Sequence, residues 1–166
     1  EKAILILYSK KGAAFMKNVR IPVGVSNFAE IRRNGYYYID KSGLINQILG
    51  SAGAKVTLII RPRRFGKTVN MSMLASFFDI RKNSSALFEG LEIAENQSLC
   101  SAWMNQCPTL FLTFKDVDGL TFESAKDMLR AQIAQICNEH DYLLDSKAVS
   151  ENDAGSLWKI CNLTVR

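Results

Sequence analysis

The chain has 166 residues, of which 48% are apolar, 10% aromatic and 22% charged, and its 21 lysines and arginines against 16 acids leave +5 at pH 7. Such an apolar content supplies a core and the charge is too small for a solvated tail, so intrinsic disorder is excluded and one compact domain is expected. The basic balance permits anionic partners (nucleotide phosphates, nucleic acid or an anionic surface) without choosing among them. Cys100, Cys107, Cys137 and Cys161 are spaced too widely for a zinc knuckle, and His140 is the one histidine. The thiols are therefore read as reduced and the protein as cytoplasmic. The longest apolar runs, Ala3 to Tyr8 and Val56 to Ile60, are too short to cross a bilayer, and the first lacks a signal-peptide cleavage pattern. No membrane is expected as a partner.

In chain order, residues 1–15 read as an N-terminal extension, an apolar run followed by a basic turn at Lys10-Lys11-Gly12. A domain is assigned to residues 16–145. Its first helix covers Asn27 to Arg33, capped by Ser26 and stopped by Asn34-Gly35. Tyr36-Tyr37-Tyr38-Ile39 is a β-favouring run. Asp40 is read as the N-cap of a helix over Lys41 to Leu49, with Leu44, Ile45, Ile48 and Leu49 on one face and Gly50 and Gly53 closing it. Val56-Thr57-Leu58-Ile59-Ile60 predicts a strand buried on both faces of a parallel sheet. A helix follows over Lys67 to Ile80, its stripe formed by Asn70, Met73, Leu74, Phe77 and Phe78. Residues 81–108 are mixed, with short helices around Ala86 to Phe88 and Ser101 to Gln106. Thr109 to Phe114 predicts a second buried strand, and Ala125, Met128, Leu129, Ile133, Ile136 and Cys137 mark a long amphipathic helix over 121–139. After Asp145 the pattern weakens, leaving 146–166 as an unassigned tail. Buried strands alternating with helices predict an α/β fold.

The chemically informative stretch is Arg61-Pro62-Arg63-Arg64-Phe65-Gly66-Lys67-Thr68, which places Gly-Lys-Thr between a predicted strand and a helix. A phosphate chain needs converging backbone N–H groups with a helix N-terminus behind them. It also needs a lysine for the terminal phosphates and a hydroxyl for magnesium. Gly66, Lys67 and Thr68 have the residue types for this, and Arg63, Arg64 and Phe65 bring further loop donors. The generic pattern is G-x-x-x-x-G-K-[ST], and Arg61 stands at its first glycine. Arginine disfavours the positive φ that glycine allows there, and Pro62 removes a donor, so the chain must enter the loop differently. A solvated basic turn remains the alternative to nucleotide binding.

The loop, followed by Asn70-Met71-Ser72-Met73-Leu74, resembles the predicted AAA-ATPase-like family of bacteria. So do Ile21-Pro22-Val23-Gly24-Val25-Ser26-Asn27-Phe28, the stretch from Ile31 to Lys41, and Phe111-Leu112-Thr113-Phe114-Lys115-Asp116, so the likeness covers residues 16–145. The arginine-rich loop is the usual form in that family. The resemblance implies a P-loop NTPase-like three-layer sandwich around a parallel sheet, an incomplete one here. It implies ATP and Mg2+ as cofactors, with Arg63, Arg64, Phe65, Gly66, Lys67 and Thr68 binding the nucleotide, Lys67 on the β and γ phosphates and Thr68 on the metal. It also brings Asp40 and Lys41 near the nucleotide, although Asp40 has an ordinary helix cap as its competing role. Tyr36, Tyr37 and Tyr38 are weighed between stacking on a base and packing in the core.

Hydrolysis requires a carboxylate at the end of a second buried strand. Asp116 is the candidate, but no acid adjoins it, and the Walker B Asp-Glu pair of similar proteins lies beyond the residues at hand. The expectation is thus an ATP-binding portion of an ATPase, truncated ahead of its hydrolytic carboxylates. Its incomplete sheet would favour self-association through unpaired edges. The alternatives are a nonenzymatic module binding nucleic acid or protein through Arg61, Arg63, Arg64 and Lys67, or a nonfunctional remnant. His140 is read as a structural surface residue. Asp116-Val117-Asp118-Gly119 is read as a strand-to-helix turn, since no further ligands follow at calcium-loop spacing. No nuclease activity is expected.

Overall fold

The computed structural model describes residues 3–8, 14–50, 56–62, 64–114 and 117–161. The turn at Lys10-Lys11-Gly12, Gly53, Arg63, Asp116 and residues 162–166 lie outside these. The chain divides into two compact units, Glu1–Thr109 and Leu110–Arg166.

The first unit begins with a hairpin of β1 (Ala3–Tyr8) and β2 (Ala14–Val19), antiparallel, with Ala3 opposite Val19 and Tyr8 opposite Ala14. Helix α1 (Phe28–Arg33) is capped by Asn27, whose side chain accepts from the Glu30 N–H at 3.1 Å, one residue beyond the expected Ser26. It ends as its sequence predicts. Gly35, at φ +62°, donates to the Arg32 carbonyl and the Tyr36 N–H reaches back to Ile31, the paired closure that a left-handed glycine allows.

Helix α2 (Gly43–Gly50) starts two residues later than expected. Asp40 is not its cap but a clamp ahead of it, accepting from the N–H of Ser42 at 2.8 Å and of Glu92 at 2.7 Å. Helices α3 (Lys67–Phe78), α4 (Ser85–Phe88) and α5 (Gln97–Trp103) follow, with a 3-10 turn over Glu92–Glu95. The predicted stripe of α3 is the core side. Met73 and Phe77 are buried with Phe28, Ile45, Leu87, Phe88, Leu91 and Ile93. Phe88 meets Phe28 at 5.0 Å and the edge of Phe77 at 5.3 Å between ring centroids, contacts of about 0.5–1.5 kcal/mol each beyond area burial.

Polar ties join α1 to α3 and to α4, and a third closes the C-terminal end of α3. The Ser72 hydroxyl accepts from the Phe28 N–H at 3.0 Å, joining the start of α1 to the middle of α3. Arg32 donates to the carbonyls of Leu87 and Glu89, both at 2.7 Å. At the far end Asp79, 1% exposed, accepts from Arg81 Nε at 3.0 Å and Nη2 at 2.8 Å. Burial alone would raise the Asp79 carboxyl, but the Arg81 guanidinium and backbone N–H outweigh it and hold it below its usual range.

The expected parallel-sheet sandwich is absent among the described residues. Val56–Ile60 and Thr109–Phe114 form no strand, and Val56, Leu58 and Ile60 are 84%, 79% and 76% exposed. Leu110, Phe111, Leu112 and Phe114 are exposed as well. A β-branched run lowers the cost of extended backbone, but a strand exists only where a neighbour completes its hydrogen-bond ladder. Neither segment enters one. The sheet that is present is the antiparallel β1-β2 pair, outside both predicted strands. The parallel pairing seen is a single bridge between Asp79 and Cys107. Tyr36–Ile39 also forms no ladder; Tyr38 instead packs edge-on against Phe28 at 5.3 Å and donates to the Met73 sulfur at 3.3 Å. Burial pushes its phenol up to about 12.

The second unit contains α6 (Phe122–Glu139) and α7 (Glu151–Cys161). Thr121 and Ser124 form a reciprocal cap at the start of α6. Helix α7 was not expected, yet the Ser150 hydroxyl accepts from the Asp153 N–H at 3.2 Å, the local contact that opens it. His140 corrects the sequence reading: at the C-terminal end of α6 it is 1% exposed, with Nδ1 3.1 Å from the Tyr142 hydroxyl.

Candidate phosphate-binding loop

The site is built where an extended segment turns into α3. Gly66 is the N-cap of α3 in the left-handed region, φ +75° and ψ +23°, and contributes no side-chain cap. No acid lies in the first turn of this helix. The first-turn N–H groups, which no intrahelical carbonyl can satisfy, are thus left without a side-chain acceptor from the capping position, and the helix dipole adds partial positive charge there. Arg64 is also left-handed, φ +68°, a conformation that costs a non-glycine residue about 1 kcal/mol. Two left-handed residues around Phe65 fold the backbone tightly enough to bring the entering and leaving segments together.

That closeness is visible in the lysines. Lys67 Nζ donates to the Arg61 carbonyl at 2.7 Å, spanning the loop from its helical end to its entrance. Lys41, from the segment ahead of α2, donates through Nζ to the Phe65 carbonyl at 3.2 Å. Its ammonium would lie 3.6 Å from a β-carbon placed on Gly66. Lys67 and Thr68 are exposed at the first turn of α3, and Arg64 and Phe65 are exposed on the loop. Of the residues expected to form the site, Arg64, Phe65, Gly66, Lys67 and Thr68 therefore share one turn; Arg63 lies outside the described residues.

Between the loop and α2 lies a cavity of about 430 Å³ whose lining includes Lys41, Gln47, Arg61, Phe65, Asn70 and Glu92. Glu92 reaches it across Gly43: a β-carbon on Gly43 would stand 2.7 Å from a Glu92 carboxylate oxygen. Sequence reasoning missed Glu92 and Asn70 as neighbours of the loop. Asn70 was expected on the buried stripe of α3, and nothing in the pattern around Glu92 marks it. The position of Lys41 depends on Asp40. Partial burial would raise the Asp40 carboxyl, but the N–H groups of Glu92 and Ser42 hold it below its usual range, so the clamp is ionised at neutral pH. Tyr38 belongs to the core and not to this cavity.

A helix that begins in Gly-Lys-Thr behind a basic, left-handed turn, with an open first turn and two ammonium groups on the turn's carbonyls, defines a candidate anion-binding protein. Comparison with known proteins gives its family. The chain belongs to the family described as Predicted AAA-ATPase, which it matches over residues 22–164. It is 32% identical over 130 residues to a protein of Azotobacter chroococcum mcd 1 described as "Uncharacterized protein in vnfD 5'region", a match covering 78% of this chain and 23% of that relative. The chain thus spans about a quarter of the length of that curated relative. No solved structure matches it significantly. Among the described residues no helix is long and apolar enough to cross a membrane, and no group of three or more His, Cys, Asp or Glu side chains is placed to hold a metal ion.

Proposed function

We propose that the turn from Arg61 to Thr68 binds the phosphate chain of ATP. The observation that carries this reading is the pairing of an open α3 N-terminus, capped only by left-handed Gly66, with Lys67 Nζ held 2.7 Å from the Arg61 carbonyl. A lysine bonded to a neutral carbonyl gains by exchanging it for a phosphate oxygen, since the ammonium–phosphate contact adds an attraction between opposite charges that the carbonyl lacks. The N–H groups at the start of α3 serve the same phosphates. Gly66 leaves the approach free of a side chain. The exposed Thr68 hydroxyl, one residue further along, is the group suited to hold Mg2+. The metal supplies charge neutralisation between the phosphates. Arg64 adds positive charge at the rim. Membership of the Predicted AAA-ATPase family supports ATP as the nucleotide.

Backbone NMR provides the test. Addition of Mg2+-ATP to the 15N-labelled chain is expected to shift the amides of Gly66, Lys67 and Thr68 most, with Thr68→Ala removing the magnesium dependence. Shifts confined to side chains of scattered lysines and arginines, with the α3 amides unmoved, would refute the loop assignment.

A further inference from the structure

Resting on the reading of the loop as a phosphate site, we infer that Lys41 is a second phosphate-binding cation, delivered from outside the loop, and that the ligand sits in the cavity between the loop and α2. Lys41 lies in the segment ahead of α2, with its ammonium 3.2 Å from the Phe65 carbonyl and 3.6 Å from the empty β-position of Gly66. Gly66 is the N-cap of α3, so this ammonium stands at the residue that opens the helix. Lys67 occupies the equivalent resting position on Arg61, so each lysine is parked on a loop carbonyl that a phosphate oxygen can replace. The cavity that Lys41 lines holds about 430 Å³, and Arg61, Phe65 and Asn70 line it too, with the Glu92 carboxylate on the Gly43 side, so the cations Lys41 and Arg61 must outweigh one acid there.

The position of Lys41 is built, not incidental. Its neighbours on either side, Asp40 and Ser42, are tied down: Asp40 clamps the Ser42 and Glu92 N–H groups, and the buried Ser42 hydroxyl accepts from the Ile93 N–H at 3.1 Å. A long exposed side chain whose backbone is pinned on both sides loses less freedom on meeting a ligand. Two ammonium groups approaching from different elements favour a chain of phosphates over a single one, because one phosphate cannot satisfy both and the paired N–H groups at once.

The roles of brace and cation are separable, because glutamine at position 41 keeps an uncharged N–H donor, one bond shorter than the lysine, while arginine keeps the charge. Binding of a fluorescent ATP analogue with Mg2+ is compared for the full chain, Lys41→Gln and Lys41→Arg, across a salt series, with inorganic pyrophosphate and phosphate as competitors. Lys41→Gln is expected to weaken ATP and pyrophosphate about tenfold or more, to flatten the salt dependence, and to leave inorganic phosphate competition little changed. Lys41→Arg is expected to stay near the unaltered chain. Wild-type affinity and salt slope in a folded Lys41→Gln would overturn the inference while leaving the phosphate loop intact, and equal weakening with an unchanged salt slope would make Lys41 a brace only. If the unaltered chain binds neither ATP nor pyrophosphate, the loop reading itself fails and this inference with it.

Discussion

Replacing Asp40 by alanine removes the clamp that sets the segment ahead of α2. Two hydrogen bonds to an ionised carboxylate are lost, to Ser42 N–H at 2.8 Å and Glu92 N–H at 2.7 Å. Each such bond is worth about 1.5–3 kcal/mol where water is excluded. Asp40 is exposed, however, so water replaces much of what is lost, and the net destabilisation is about 1–2 kcal/mol for the pair. At neutral pH this shifts a urea midpoint down by roughly 0.5–1 M for an m-value near 2 kcal/mol/M. The pH dependence has a fixed sign. The folded-state carboxyl lies below its ordinary value of 3.8, so its contribution is complete above that value and disappears as pH falls through the folded-state value. Asp40→Ala should therefore be less stable than the unaltered chain at pH 7, with the difference shrinking as the solution is acidified below the ordinary carboxyl range, measured by urea unfolding at a series of pH values. A deficit at pH 7 below about 0.3 kcal/mol, or one that persists unchanged into acid, would refute the clamp.

Asp79→Ala should be the more damaging change, about 2–3 kcal/mol in urea unfolding. It breaks a pair in which Asp79 is 1% exposed, while the 27% exposure of the Arg81 side chain lets the freed guanidinium reach water and keeps the loss below that of a fully buried pair. Its contribution, like that of Asp40, fades as the solution is acidified below the ordinary carboxyl range. At Arg64, φ +68° makes the backbone the issue. Arg64→Gly should leave stability within about 0.5 kcal/mol, relief of strain offsetting the entropy of the unfolded glycine, whereas Arg64→Ile should lose about 1–2 kcal/mol because branching forbids that conformation. Equal stability of the isoleucine and glycine variants in the same assay would contradict the left-handed turn.

The sequence marked the helices where local chemistry decides them. Asn34-Gly35 ended α1 through a glycine able to take φ +62°, and the Met73 and Phe77 side of α3 was visible as spacing alone. Cap positions were legible to within a residue or two, since Ser26 and Asn27 have similar capping chemistry and only the folded backbone selects Asn27. Helix α7 went unseen although Ser150 and Asp153 carry an N-terminal signature and Ala154, Leu157, Trp158 and Cys161 recur at helical spacing; Gly155 inside it lowers the local helix preference. The failure at Val56–Ile60 and Thr109–Phe114 has a different origin. Residue type reports a preference for extended backbone, while pairing depends on residues remote in sequence, which no local pattern encodes. The same limit governed the site: Gly66, Lys67 and Thr68 could be read off as one motif, but the approach of Lys41 across 24 residues and of Glu92 over Gly43 exists only in three dimensions.

The role proposed for the turn before α3 is to hold the phosphates of ATP through Lys67. Equilibrium binding of a fluorescent ATP analogue with Mg2+ to the monodisperse chain, set against Lys67→Ala, tests it most directly. Saturable binding of one nucleotide per chain is expected, weakened at least about a hundredfold by Lys67→Ala with the fold unchanged by circular dichroism. A folded chain that binds no nucleotide, or binds it equally well without Lys67, would contradict it.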